Sequence, residues 1–353
     1  MARIDEYLEE ILKRDGSDLH FMAGDPPRIR LYGNLSNLRA ERLGADFVRE
    51  SLYEIMPRKA VDRFETRDGT DFAYTLGTLG RFRVNVLRQL NGMGAVFRAI
   101  PSKAQTLDQL KMPDAVRNLC KVSNGLILVT GKTGSGKSTT LAAMIDDLNT
   151  RIKGHILTIE DPIEFVHARK NCLISQREIG AHAESFASAL LSALREDPDV
   201  ILVGELRDLE TISTAITASE MGILVMATLH TNGSAATVDR IVNAFPADKQ
   251  SHVRTMLSTS LRGVVSQQLI SRKGTPGRVA ALEVLINTPA ASNLIRQGKI
   301  DQLETVMQAG ANAGMRTMDS AIEQLLDQGQ ISGRSAYEKS MNKTKFEPLK
   351  DMD

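Results

Sequence analysis

Eight consecutive residues, Gly131-Lys132-Thr133-Gly134-Ser135-Gly136-Lys137-Ser138, have the types and spacing that hold a phosphate. Glycine lets the backbone approach an anion and turn its N–H groups onto it, and a helix starting there adds the positive end of its dipole. The apolar run Leu126-Ile127-Leu128-Val129 comes before, and the apolar-faced stretch Thr139-Thr140-Leu141-Ala142-Ala143-Met144-Ile145 follows. The loop therefore sits between a short buried strand and a helix, which is the context such a motif requires. A triphosphate is the expected ligand, with Lys137 reaching its β- and γ-phosphates and the Ser138 hydroxyl occupying one position on Mg²⁺. Gly131, Thr133, Gly134, Ser135, Gly136, Lys137, Ser138 and Thr139 make up the candidate nucleotide-binding set.

Further acids and an imidazole follow other apolar runs. Glu160-Asp161-Pro162 and Glu164 come after Ile159, Gly204-Glu205 after Val203, and Thr228-Leu229-His230-Thr231-Asn232 after Ala227. In an open parallel sheet, ligands bind beyond the carboxyl ends of the strands, so these residues would join the phosphate loop along one edge. Phosphoryl transfer to water needs a group to orient or deprotonate the water, a magnesium ion, and positive charge around the transferred oxygens. Glu160 is the candidate for the first task. Glu205 follows four apolar residues in the manner of a Walker B acid, with Gly204 in place of the usual aspartate, and is expected to hold magnesium through water. Either glutamate could act as base while the other serves the metal. His230 would sense the γ-phosphate or bridge it to a neighbouring subunit.

These residues need a scaffold, and 353 residues suggest about two domains. Strands and helices alternate from Leu126 to Ala227 (126–130, 155–159, 200–203 and 223–227, with helices after Lys137 and over 184–195 and 208–220), which argues for a parallel sheet covered on both faces. A further strand is expected over Val279–Leu285, then one helical segment over about 289–328 and a polar, loosely ordered tail over 330–353. The amino-terminal part reads as a small α+β unit: an amphipathic helix around Ile4, Leu8 and Ile11, strands Leu19–Met22 and Ile29–Tyr32 with a Gly33-Asn34 turn, a helix over 44–66, and strands near 71–74, 80–86 and 95–100. In the second of these last three, Arg81, Arg83 and Asn85 alternate with Phe82, Val84 and Val86, so the polar three share a face. The boundaries are thus 1–100, a linker at 101–112, and 113–353.

Composition narrows the partners. With 44 Lys plus Arg against 43 Asp plus Glu, the formal charge is +1 and aromatics are 4%, which leaves little footprint for nucleic acid. Two cysteines and six histidines show no disulfide framework or metal-ligand spacing. The acidic first residues do not resemble a secretory signal and no run is long enough to span a membrane, so a cytoplasmic location is expected.

Leu157 to His167 resembles the Asp box of secretion and pilus ATPases, Leu194 to Glu205 their Walker B block, and Thr228-Leu229-His230-Thr231-Asn232 with Asp239-Arg240-Ile241-Val242 their His box. Within that superfamily Gly204-Glu205-Leu206-Arg207-Asp208-Leu209-Glu210-Thr211 is most similar to the retraction ATPases of type IV pili. Extension ATPases usually carry an additional amino-terminal domain and a paired-cysteine zinc element, and on the expectation that neither is present the chain falls with the retraction motors. The resemblance implies a PAS-like first domain, a RecA-like second domain and a ring of six copies with nucleotide between domains. It also implies that Arg81, Arg83 and Arg98 reach the nucleotide, and that ATP and Mg²⁺ are the cofactors. A peripheral position at the cytoplasmic face of the inner membrane is implied too, acting on a pilus platform protein and, through it, on the pilin filament, with a paralogous retraction ATPase as a candidate partner. The family's A-I-R-N-L-I-R-E block appears as Ala290-Ala291-Ser292-Asn293-Leu294-Ile295-Arg296-Gln297, lacking the first arginine and the final glutamate. Rival readings are a motor for pilus extension, secretion or DNA uptake, and a weakly hydrolysing accessory ATP-binding subunit.

Overall fold

Phe82, Val84 and Val86 are fully buried while Arg83 and Asn85 between them are exposed, so the period-two pattern is realised in the computed structural model, which describes residues 2–31, 34–101 and 104–352. The chain divides into two units, one formed by residues up to 103 together with 164–166, the other by 104–163 and 167 onward. Tyr32, Gly33, Ser102 and Lys103, expected in a strand end, a turn and the linker, lie outside the described residues.

The first unit comprises α1 (Asp5–Lys13), β1 (Asp18–Met22), β2 (Arg28–Leu31), β3 (Asn34–Asn37), α2 (Ala45–Ile55), α3 (Arg58–Thr66), β4 (Gly69–Leu76), β5 (Gly80–Gln89) and β6 (Gly92–Ile100). Its six strands form an antiparallel sheet in the order β3-β2-β1-β6-β5-β4. Leu8 and Ile11 of α1, Leu52 of α2 and Phe64 of α3 cover the face that carries Phe21, Phe82 and Phe97. The single helix expected over 44–66 is two. A proline excludes the preceding residue from helical geometry, and Met56 before Pro57 is accordingly extended at φ −72°, ψ 124°.

The second unit comprises α4 (Asp114–Leu119), β7 (Gly125–Thr130), α5 (Lys137–Arg151), β8 (His155–Glu160), β9 (Leu173–Glu178), α6 (Phe186–Ala193), β10 (Val200–Val203), α7 (Leu209–Glu220), β11 (Leu224–Leu229), α8 (Ser234–Val242), α9 (Ala247–Ser260), β12 (Leu261–Ser271), β13 (Arg278–Ile286), α10 (Pro289–Gln297), α11 (Leu303–Ala309), α12 (Met318–Asp327), α13 (Gly333–Lys339) and α14 (Lys343–Phe346). The seven strands run β13-β12-β7-β11-β10-β8-β9, all parallel except β13, which closes one edge antiparallel to β12. Successive residues of β7 enter separate cores, Leu126 and Leu128 on one side, Ile127 and Val129 on the other. A strand buried on both faces must be apolar throughout, as this one is.

Two expectations are corrected. Residues 289–328 are not one helical run, because Gly298 and Gly314 adopt left-handed conformations that end one segment and precede the next. Nor is the tail loosely ordered: Ile331, Ala336 and Phe346 bury themselves against Ile270, Ala281, Met318 and Ile322. The Asp319 carboxylate fixes it further, accepting hydrogen bonds from the backbone N–H groups of Met341 at 2.6 Å and Asn342 at 2.8 Å. Phe346→Ala should therefore lower the unfolding free energy by about 3–5 kcal/mol in a denaturant titration. A loss within the ~0.5 kcal/mol typical of exposed positions would mean that the tail is not held.

Candidate active site

Parallel pairing sets the strand tips level. Ile159, Val203, Ala227 and Leu128 lie in one cross-strand row, so Glu160, Gly204-Glu205, His230 and the phosphate loop all emerge at the same edge of the second unit. Gly204 has a local reason to be glycine: a Cβ there would come within 3.2 Å of the Ile159 carbonyl oxygen and 3.3 Å of the Glu160 Cα. The end of β10 thus lies against the Glu160 backbone where an aspartate would be crowded.

The loop is shaped for an anion. Gly131 stands at φ +139°, and a Cβ on it would lie 2.3 Å from the Gln267 carbonyl oxygen and 2.6 Å from Ser135 Oγ. Gly136 caps α5 at φ +89°, and its Cβ would meet the Gln267 amide nitrogen at 2.6 Å. Ser135 Oγ is buried with no hydrogen-bond partner among the described residues, a donor left for something that the protein does not supply. Lys137 Nζ donates to the carbonyl oxygens of Gly131 at 2.8 Å and Lys132 at 3.3 Å. Burial pulls the Lys137 ammonium below its ordinary pKa, and the Glu205 carboxylate acts in the opposite direction. A half-desolvated cation gains more from a phosphate than a hydrated one.

Glu205, His230, Thr133 and Lys137 come together. Glu205 Oε2 pairs with Arg207 Nε at 2.8 Å and Oε1 faces His230 Nε2 at 3.3 Å. The other ring nitrogen of His230 lies 3.5 Å from Thr133 Oγ1 in the loop. Ser138, at the exposed start of α5, and Thr139 complete the expected set. Glu160, only 6% exposed, belongs to a different network: its Oε1 accepts from Thr158 Oγ1 at 2.7 Å and from Gln176 Nε2 at 3.4 Å.

On the first unit, Arg83 and Arg98 are cross-strand neighbours. Arg98 Nε pairs with Asp18 at 2.8 Å, Arg83 Nε lies 3.9 Å from Asp71, and Arg81 donates to Thr75 Oγ1 at 3.4 Å. All are carried by the polar face of the antiparallel sheet.

Sequence reading missed Gln267 of β12, which lies under both loop glycines and accepts from Thr140 Oγ1 at 2.7 Å. It also missed a cavity of about 770 Å³ beside the loop, lined by Gly136, Thr139, Gln267, Leu269, Arg278 and Arg316, of a size to take a nucleoside. Neither leaves a local signal: the stretch Val264-Val265-Ser266-Gln267-Gln268-Leu269-Ile270 has no period-two alternation to single out the glutamine. No three His, Cys, Asp or Glu side chains cluster as a metal site among the described residues. The fit to magnesium is that of an ion shared with a ligand's phosphates, the Ser138 hydroxyl and Glu205 being the available oxygens.

The sequence profile described as type II/IV secretion system protein matches residues 1–273. The chain is 50% identical to the type IV pilus retraction ATPase PilT of Pseudomonas aeruginosa, over 96% of this chain and 98% of that protein. It is 48% identical to a twitching motility protein of Neisseria gonorrhoeae, over 90% and 84% of the two chains. A crystal structure of the pilus retraction motor PilT with bound ADP superposes with a TM-score of 0.91 at 42% identity, covering 99% of this chain and 100% of that one.

The geometry of the loop gives a direct test. Placing alanine at the Gly131 conformation introduces strain of roughly 1–3 kcal/mol. Affinity for a non-hydrolysable ATP analogue, measured by calorimetry, is therefore expected to fall by about 5- to 150-fold in Gly131→Ala. Unchanged affinity would mean that the anion binds elsewhere.

Proposed function

The chain belongs to the type II/IV secretion system protein family, and from that premise we propose that it is a magnesium-dependent ATPase motor that powers retraction of type IV pili. The observation that carries this reading is the convergence of Lys137, Glu205, His230 and Thr133 around an anion-shaped backbone loop.

In this reading the loop N–H groups and the Ser135 hydroxyl bind the phosphates, while Lys137 neutralises the β- and γ-oxygens. Ser138 and, through water, Glu205 would hold Mg²⁺, which would draw charge from the β- and γ-phosphate oxygens. Arg207 fixes the Glu205 carboxylate at one oxygen, and His230 meets the other, so a change at the γ-phosphate would be felt along Thr133, His230 and Glu205. Glu205, already engaged by a guanidinium, is better suited to organising charge than to accepting a proton. Glu160, which accepts from the Thr158 hydroxyl and the Gln176 amide, is the base for the attacking water in this reading.

Arg81, Arg83 and Arg98 engage the phosphates during turnover and complete charge neutralisation in one nucleotide state only. Differential contacts of that kind are what convert a chemical step into motion. The motor works as a homohexamer at the cytoplasmic face of the inner membrane, on a platform protein and thereby on the pilin filament. Among the described residues no helix is long and apolar enough to cross a membrane.

Purified protein is expected to hydrolyse ATP with Mg²⁺, and Lys137→Ala and Glu160→Ala to lower kcat by about 100-fold or more. Normal turnover in both would remove the enzymatic assignment. Arg81→Ala should reduce kcat more than ATP affinity. Cells lacking the gene should be hyperpiliated and unable to twitch; bald cells would reverse the direction of the motor.

A further inference from the structure

Beside Glu160 lies β9, an edge strand whose residue Gln176 is in register with Thr158 of β8. Its amide makes two contacts of opposite polarity. Gln176 Oε1 accepts from the His167 backbone N–H at 2.9 Å, and Nε2 donates to Glu160 Oε1 at 3.4 Å. A backbone N–H can only donate, so it fixes which end of the amide is oxygen, and the NH₂ group is left turned toward the carboxylate. Thr158 Oγ1 delivers a second donor, at 2.7 Å, to the same carboxylate oxygen. Two donors on one oxygen favour a single rotamer of the carboxylate over a swinging one.

We propose that Gln176 is a positioning residue for the hydrolytic step, its amide set by the His167 N–H and holding the Glu160 carboxylate in one orientation. The proposal rests on the reading of Glu160 as the base. It also gives the 161–167 loop a part in turnover. That loop leaves β8 directly after Glu160 and returns at His167, and Glu164–Val166 within it belong to the first unit, where the Val166 N–H bonds the Pro101 carbonyl at 3.3 Å. A displacement of the loop that withdraws the His167 N–H would remove one of the contacts that set the Gln176 amide against Glu160. The neighbouring carboxylate in register with Glu160, Glu178, is itself occupied by the Ile163 N–H at 3.2 Å.

Gln176→Glu separates positioning from scaffolding. A glutamate keeps an oxygen for the His167 N–H, so a role limited to pinning the loop survives, but it replaces the donor facing Glu160 with a second acceptor. Gln176→Met removes both contacts without adding charge and serves if the glutamate variant does not fold. In the full-length protein both variants should show kcat lowered by about 10- to 100-fold, with affinity for a non-hydrolysable ATP analogue and melting temperature unchanged. Wild-type kcat in Gln176→Glu, or a fall in analogue affinity that accounts for the lost rate, would overturn the proposal. Glu160→Ala run alongside tells the two levels apart: full turnover there sinks the base assignment and this proposal with it, whereas a dead Glu160→Ala beside an active Gln176→Glu sinks only the positioning role.

Discussion

A lysine ammonium tied to the backbone that precedes it is the constraint around which the second unit is built. Lys137 could extend into solvent; instead its Nζ folds back onto the carbonyls of Gly131 and Lys132 and is 92% buried as a residue by the loop it helps close. That posture costs hydration, which the two carbonyl acceptors offset only in part, since burial still pulls the ammonium below its ordinary pKa. The loop can close this tightly only because Gly131 and Gly136 adopt positive φ against Gln267, so a residue of β12 decides the shape of a loop that follows β7.

The order of strands follows from the same requirement. β7 must be central if the loop is to be flanked by other strand tips, and a central parallel strand is buried on both faces. With β11 beside it, then β10 and β8, the tips carrying His230, Glu205 and Glu160 stand at increasing distance from the loop along one edge. Glu205 spans the gap by meeting His230, which meets Thr133. Glu160, one strand further out on β8, meets β9 through Gln176.

Much of this was legible because it is local. The phosphate loop is eight contiguous residues, and each acid follows an apolar run whose end marks the sheet edge. Gln176 was not legible: β9 is an edge strand with the mixed sequence Leu173-Ile174-Ser175-Gln176-Arg177-Glu178, with too few apolar positions to announce a strand. The tail misled for a related reason. Three anchors, Ile331, Ala336 and Phe346, spread over sixteen residues give no period, yet each finds a socket in β12, β13 or α12 that exists only once the chain is folded. The expected 44–66 helix failed at Pro57, whose effect acts on the residue before it and was overridden by the apolar spacing on either side.

The first unit's arginines illustrate how a protein with almost no net charge can still direct strong fields. Each is already near a partner, Arg98 at Asp18, Arg83 at Asp71 and Arg81 at Thr75. Burial works against charge on Asp18, but the Ser17 hydroxyl and the Arg98 guanidinium outweigh it and hold the carboxyl below its usual range. The pair is lopsided, with the Arg98 side chain 69% exposed and the Asp18 side chain only 7%. Such a pairing holds the guanidinium in one orientation while leaving it open to solvent, and a group with several charged oxygens could compete for it through bidentate, charge-assisted contacts. An arginine buried with its aspartate would be indifferent to nucleotide, and one with no partner would sample too many rotamers to respond sharply.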